Sequence, residues 1–434
     1  MEPIWISAIL IVVLLGLLGS GLWVALSLLG AAYVGLEFFS DAPVGRVMAT
    51  SIWSATSSWI LTALPLFIWM GEILFRSRLS EDMFAGLSPW VSRLPGGLLH
   101  VNIVGCAIFA AVSGSSAVTA ATIGKISLPA LKALGYPEDK SIATLAGSGT
   151  LGFLIPPSIL LIVYGSMAEI SIARLFIAGI LPGLMLVVLF MGYIVIWALL
   201  NREKMPVTGL RIRFIERIYQ SRRLIPVMLL ITAVIGSIYA GVATPTEAAA
   251  IGVVGALTLS YITGFRSKAV FIQGLLGATR TTCMIVFIVG GAAFLTMTMG
   301  YTKLPRHLAE SIDALNLSPY MLILVLTIFY LFLGCFLEGI SIIVLSAAII
   351  LPMMDQMGFD LIWFGIYLVF VVELALITPP IGFNLFVIQG LTGRSIFYVA
   401  RVAWPFFSLL LVGLTLIVIF PEIATYLPSL MGRP

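Results

Sequence analysis

Long uncharged apolar stretches recur from one end of the chain to the other, separated by short clusters of Gly, Pro, Ser and charged residues. A bilayer core about 30 Å thick takes roughly 20 apolar residues per spanning helix, and by that rule the chain holds about a dozen candidate spans. Hydrophobic residues fill 61% of the 434 positions and charged residues only 10%, whereas a soluble domain carries about 25% charged residues. With a mean hydropathy of +1.15, most of this surface is not built for water. The pattern predicts an all-α integral membrane protein.

The halves of the chain match at an offset of 223 residues. Leu128-Pro129 falls on Leu351-Pro352, Gly135-Tyr136 on Gly358-Phe359, and Pro156-Pro157 on Pro379-Pro380. A double proline 27 residues after a Leu-Pro in both halves predicts a duplicated unit. Each unit interrupts its apolar sequence twice. Leu98 to Val112 is 15 residues long, short for a crossing at about 1.5 Å per residue. It ends at Ser113-Gly114-Ser115-Ser116, and a second apolar segment runs to Leu134, so the pair predicts a re-entrant hairpin. A helix from near Asp139 is then expected to be interrupted at Gly147-Ser148-Gly149-Thr150 and to stop at Ile155-Pro156-Pro157, because proline lacks an amide donor and clashes with the preceding turn. The second half repeats the plan, with Gly334, Glu338-Gly339 and Ser341 in one break and Thr378-Pro379-Pro380 in the other.

Unwound backbone at bilayer depth survives only when buried in protein or lining a watery cavity. Paired breaks therefore mark a candidate solute site. Their carbonyls and hydroxyls suit a hard cation, and half-helix N-termini suit an anion. The competing reading is that small residues merely permit close helix packing.

Charge sharpens the picture. Residues 201–223 hold seven basic side chains (Arg202, Lys204, Arg211, Arg213, Arg217, Arg222, Arg223) against Glu203 and Glu216, a net +5 in a chain of net +4. The positive-inside rule puts this segment in the cytoplasm, and the remainder, near neutral, gives no support for nucleic-acid binding. Ionisable groups within spans are costly and so are functional candidates. Here they are Glu338, Glu373, which could pair with Lys125 or with backbone donors, and Lys125 itself. Thr244-Pro245-Thr246-Glu247 has the form of a capping box with proline at the first helical position, an architectural role. The N-terminus has no basic residue before Arg46, so its first stretch is expected to be a retained helix rather than a cleaved signal. Cys106, Cys283 and Cys335, at unrelated spacings, are expected to pack rather than to bridge or bind zinc. His100 and His307 read as interfacial or loop histidines. No metalloprotease, redox or nucleotide-loop motif occurs, so the energy source expected is an ion gradient rather than ATP on this chain.

Taken together, Gly114-Ser115-Ser116-Ala117, Gly147-Ser148-Gly149-Thr150, Ile155-Pro156-Pro157-Ser158, Thr244-Pro245-Thr246-Glu247-Ala248, Glu338-Gly339, and Thr378-Pro379-Pro380 with Asn384 resemble the large membrane subunit of tripartite ATP-independent periplasmic (TRAP) transporters, over almost the whole chain. Lys125 departs from that pattern, where a small residue is expected. The resemblance implies an inverted repeat with two hairpins, and a transport unit that moves elevator-fashion against a scaffold in the bacterial inner membrane. It also implies sodium as coupling ion with no other cofactor, a separate small four-helix membrane subunit, a periplasmic substrate-binding protein, and a small organic acid as substrate. Carried onto this chain, the cation sites fall on Ser115, Ser116, Gly147, Ser148, Gly149 and Thr150 in one half and on Gly334, Gly339 and Thr378 in the other, with Ser158 and Asn384 as substrate contacts.

The expected division is residues 1–96 scaffold, 97–200 first transport unit, 201–223 cytoplasmic connector, 224–318 scaffold, and 319–434 second transport unit with the C-terminal helix. Two other readings compete. A stand-alone sodium-coupled carboxylate symporter would need no binding protein. A membrane-embedded enzyme would need a nucleophile and base drawn from separate helices, and no such pair is evident.

Overall fold

The structure, a computed structural model, describes residues 3–77, 79–206, 214–263, 267–302, 310, 318–334, 337–379 and 382–431. Arg211, Arg213, His307, Cys335 and Pro380 lie outside these. All regular elements among the described residues are helical. They are α1 (Pro3–Gly19), α2 (Val24–Phe39), α3 (Val44–Thr56), α4 (Ala63–Phe75), α5 (Leu79–Val91), α6 (Leu99–Ser113), α7 (Ser116–Ala133), α8 (Glu138–Gly149), α9 (Ile159–Met167) and α10 (Ile172–Leu200). After the basic segment come α11 (Phe214–Ser221), α12 (Ile225–Tyr239), α13 (Pro245–Ile262), α14 (Lys268–Tyr301), α15 (Pro319–Gly334), α16 (Gly339–Gln356), α17 (Leu361–Leu376), α18 (Phe383–Thr392), α19 (Ile396–Ile419) and α20 (Glu422–Leu430).

Among the described residues, five helices are long and apolar enough to cross a bilayer, or seven if the bent pairs α3–α4 and α11–α12 each count as one span. The dozen expected spans thus resolve into fewer full-length apolar helices and several shorter ones, including α6, α15, α17 and α18. Chain breaks divide what apolar content alone runs together.

Local signals set the helix ends. Thr244 and Glu247 close a complete capping box at α13, which satisfies amides a helix start leaves free. Asp360 accepts from the Ile362 and Trp363 amides at α17. Gly114 and Gly393 end α6 and α18 in the left-handed conformation, which glycine adopts without a Cβ penalty.

The helices pack in two groups. One gathers α1–α4 with α12–α14, and the other gathers α6–α10 with α15–α20; α4 against α6 and α14 against α16 join them. Small residues allow the closest approaches. A Cβ on Gly291 of α14 would stand 2.9 Å from the Ala25 carbonyl of α2. His100, expected at an interface or in a loop, is instead fully buried in α6, its Nε2 2.8 Å from the Pro95 carbonyl. Cys106 is buried in packing, as its apolar setting implied, while Cys283 is exposed on α14.

Contacts between helix ends sort the elements by face. Lys140, at the start of α8, lies 5.0 Å from the Trp197 ring at the end of α10. Glu138 beside it is gripped at two points, 3.0 and 2.7 Å, by Arg394 in the turn between α18 and α19. At the other face, the Tyr164 hydroxyl of α9 donates to the Leu361 carbonyl at the start of α17 (2.6 Å). Trp363 likewise donates to the Ile417 carbonyl near the end of α19 (2.9 Å).

Candidate functional site

Three of the four interruptions touch one another inside the molecule, and the helix that leads to the fourth, at Thr378, reaches them through Glu373 and Ala375. At the tip between α6 and α7, the Gly114 carbonyl accepts the Ile159 amide at 3.2 Å, which ties this tip to the double-proline break before α9. A Cβ on Gly114, whose φ is +60°, would stand 2.7 Å from the Pro157 carbonyl. Only glycine permits both the turn and the approach. Ser116 donates to the Thr150 carbonyl at 2.7 Å, and Thr150 donates to the Gly147 carbonyl at 2.8 Å. Ser113 and Thr119 share a 2.7 Å hydrogen bond, while the Ser115 hydroxyl is half-buried and uncommitted. A hydroxyl that has donated its proton still offers lone pairs to a cation.

The break in α8 falls later than expected. Gly147, Ser148 and Gly149 are helical and fully buried, a short 3₁₀ turn covers Thr150–Gly152, and the chain is irregular to Ser158. Close packing accounts for the glycines, since Gly147 backs onto Phe406 and Gly149 onto Ala120. Ser158 caps α9 by accepting the Leu161 amide at 3.3 Å and donates to the Phe153 carbonyl. It is fully buried, and the cap commits both its donor and one lone pair.

In the second half α15 ends at Gly334, which backs onto Ala375, and α16 starts at Gly339. Ser341, expected within the break, sits in the first turn of α16 and donates to Glu338 at 3.3 Å. A Cβ on Gly339 would lie 2.8 Å from Val372 and 3.1 Å from Phe153, so this break touches the one in the first half. Glu373 is fully buried; its carboxylate faces the Leu154 amide without closing a hydrogen bond. Lys125 does not neutralise it. That side chain is exposed and lines a separate cavity of about 470 Å³ with Lys132, Glu138 and Thr392. Thr378, half-buried beyond α17, donates to the Leu374 carbonyl at 2.7 Å, with Pro379 next in the chain. Asn384, in the first turn of α18, is fully buried with both amide atoms unpartnered.

Sequence reasoning passed over Asn102. Buried in α6, its side-chain amide donates to the Ser141 carbonyl (3.1 Å) and Thr144 hydroxyl (2.9 Å), and its main-chain carbonyl accepts from the Ser148 hydroxyl. A lone amide within an apolar run was the available signal. Gly71 and Gly152 also matter, since a Cβ on either would press on the main chain at Ser113 or Ser115, but no local signal marks them.

A strongly apolar molecule, helical in all regular elements of its described residues, with broken helices touching around buried polar side chains, is a multi-pass membrane transport protein. The family model of the tripartite ATP-independent periplasmic transporter, DctM component, matches residues 11–423, and the chain belongs to that family. It is 33% identical over 388 residues to the C4-dicarboxylate TRAP transporter large permease protein DctM of Pseudomonas aeruginosa, covering 89% of this chain and 90% of that protein. It is 30% identical to the isethionate TRAP transporter permease protein DctMQ of Oleidesulfovibrio alaskensis, over 95% of this chain and 62% of the relative. These relatives are named as permeases rather than enzymes. In fold the chain is similar to the Alcanivorax borkumensis YdaH transporter, with a TM-score of 0.60 at 14% identity over 94% of this chain and 97% of that one.

Proposed function

We propose that this chain is the large permease of an importer that brings a small organic acid across the bacterial inner membrane, driven by a sodium gradient. The observation that carries the reading is the convergence of the interruptions: Gly114 on Ile159, Ser116 on Thr150, Gly339 on Phe153, and Glu373 facing Leu154. Sodium is held by oxygens around Ser115, Ser116 and the Gly147–Thr150 region in one half, and around Gly334, Gly339 and Thr378 in the other. Asn384 offers the substrate a donor and an acceptor that the protein leaves unused, and Ser158, already engaged as a cap, is the weaker contact. Glu338 and Glu373 are the acidic groups at the breaks; with Glu338 half-buried and Glu373 fully buried and lacking a hydrogen-bond partner, they take up negative charge only when a cation sits beside them.

The ends of the helices support an inverted repeat. The α6–α7 pair feeds into Glu138, which Arg394 joins to the α18–α19 turn, whereas the α15–α16 pair feeds into Asp360 beside the Tyr164 end of α9. These contacts support hairpins that enter from opposite faces. The packing groups fit an elevator, with residues 97–200 and 319–434 moving against a scaffold of 1–96 and 224–318, and 201–223 as the cytoplasmic connector. A periplasmic binding protein delivers the acid, as the family name implies. A small membrane subunit completes the assembly, a reading supported by the DctMQ relative, which extends well beyond its match to this chain.

Hydrogen exchange on the purified chain tests the sodium sites. Exchanging potassium for sodium is expected to slow amides at Gly114–Ser116 and Thr150–Ser158, and identical exchange in the two salts refutes the assignment.

A further inference from the structure

A second cavity, of about 580 Å³, lies between α3, the end of α9 and α14, at the face remote from the basic segment. Its polar lining is Ser51, Ser54, Ser58, Ser166, Thr296 and Glu169, and no basic residue is among the described lining. The volume suits a small organic molecule rather than a bare ion.

Three observations make it more than a gap. Glu169 has a φ of +54° and is the one non-glycine with positive φ among the described residues. The Ile170 amide closes onto the Gly165 carbonyl at 3.1 Å, the bond of a helix end where glycine ordinarily holds the Glu169 position. Backbone strain of this kind persists where it serves placement, and here it sets Glu169, an exposed acidic residue, in the lining of the cavity. Ser51 is only 4% exposed, and its hydroxyl has no hydrogen-bond partner. Ser54 and Thr296 donate their protons to the Ser51 and Ala292 carbonyls, which leaves lone pairs for a ligand. The lining is therefore rich in acceptors and carries negative charge, which suits N–H donors on a cationic nitrogen and opposes a dianion.

We propose that this cavity is an outer vestibule recognising the cationic nitrogen of a zwitterionic acid, with Glu169 as its counter-charge. The inference rests on the organic-acid import reading and narrows its substrate class.

The test is uptake into proteoliposomes holding the complete transporter, using a panel of small acids. Half are zwitterions whose cationic nitrogen bears N–H donors (amino acids, amino sulfonates), and half lack a cationic group (mono- and dicarboxylates, keto and sugar acids). Glu169→Gly is the informative variant, because glycine suits the backbone there and removes only the carboxylate. The expected result is accumulation of zwitterions, with KM raised about tenfold in Glu169→Gly, the order of one lost charged hydrogen bond, and a melting temperature equal to or above that of the wild type. Accumulation of nitrogen-free acids by wild type and Glu169→Gly alike overturns the vestibule assignment while leaving organic-acid import standing. Accumulation of no acid from either half overturns organic-acid import, and this inference with it.

Discussion

Asn384 separates function from stability more cleanly than any other single residue. Its amide is fully buried and unpartnered, a state that costs about 1–3 kcal/mol in a folded protein. Asn384→Leu, close in size, is therefore expected to raise thermal stability while abolishing uptake. A variant that melts lower and still transports would show that the amide serves packing instead. The need for a polar group beside the second double proline was legible in the sequence. The commitment of Ser158 to its own helix cap was not, because a capping serine and a ligand-binding serine look alike until the Phe153 carbonyl is placed against the hydroxyl. Lys125 misled for a related reason: sequence hydropathy cannot say which side of a helix faces a cleft.

Among elements, the short α6–α7 hairpin and the double-proline break were readable because proline and glycine act locally on the backbone. The limits of the α8 break were not readable there. Gly147 and Gly149 look like chain breakers in sequence, yet they stay helical because Phe406 and Ala120 press against them, partners set by tertiary packing alone. Gly114→Ala probes the link between hairpin tip and break. A side chain at φ +60° that approaches the Pro157 carbonyl is expected to destabilise the protein by on the order of 2 kcal/mol and to speed hydrogen exchange at Ile159. Unchanged exchange at Ile159 would mean that the two breaks are not mechanically joined.

Across the whole molecule, the two halves meet at one face through Glu138 and Arg394. The Arg394 guanidinium, by hydrogen bonding first and charge second, holds the Glu138 carboxyl below its usual range. A carboxyl lowered on folding stabilises the native state above the ordinary carboxylate range and loses that effect as pH falls through its folded value. The gap in melting temperature between wild type and Arg394→Gln is therefore expected to be widest near neutral pH and to close below about pH 4; a gap that is constant with pH would contradict this. The 223-residue offset predicts a duplicated unit but carries no information on how the halves are oriented, since that depends on such contacts between remote residues.

The most direct measurement is uptake of small acids by proteoliposomes that hold this chain with its small subunit and binding protein, with an inward sodium gradient imposed and then collapsed at constant membrane potential. Accumulation that appears with the gradient and vanishes on its collapse is the predicted result. Equal uptake under both conditions would contradict sodium-driven import at the buried meeting point of the broken helices.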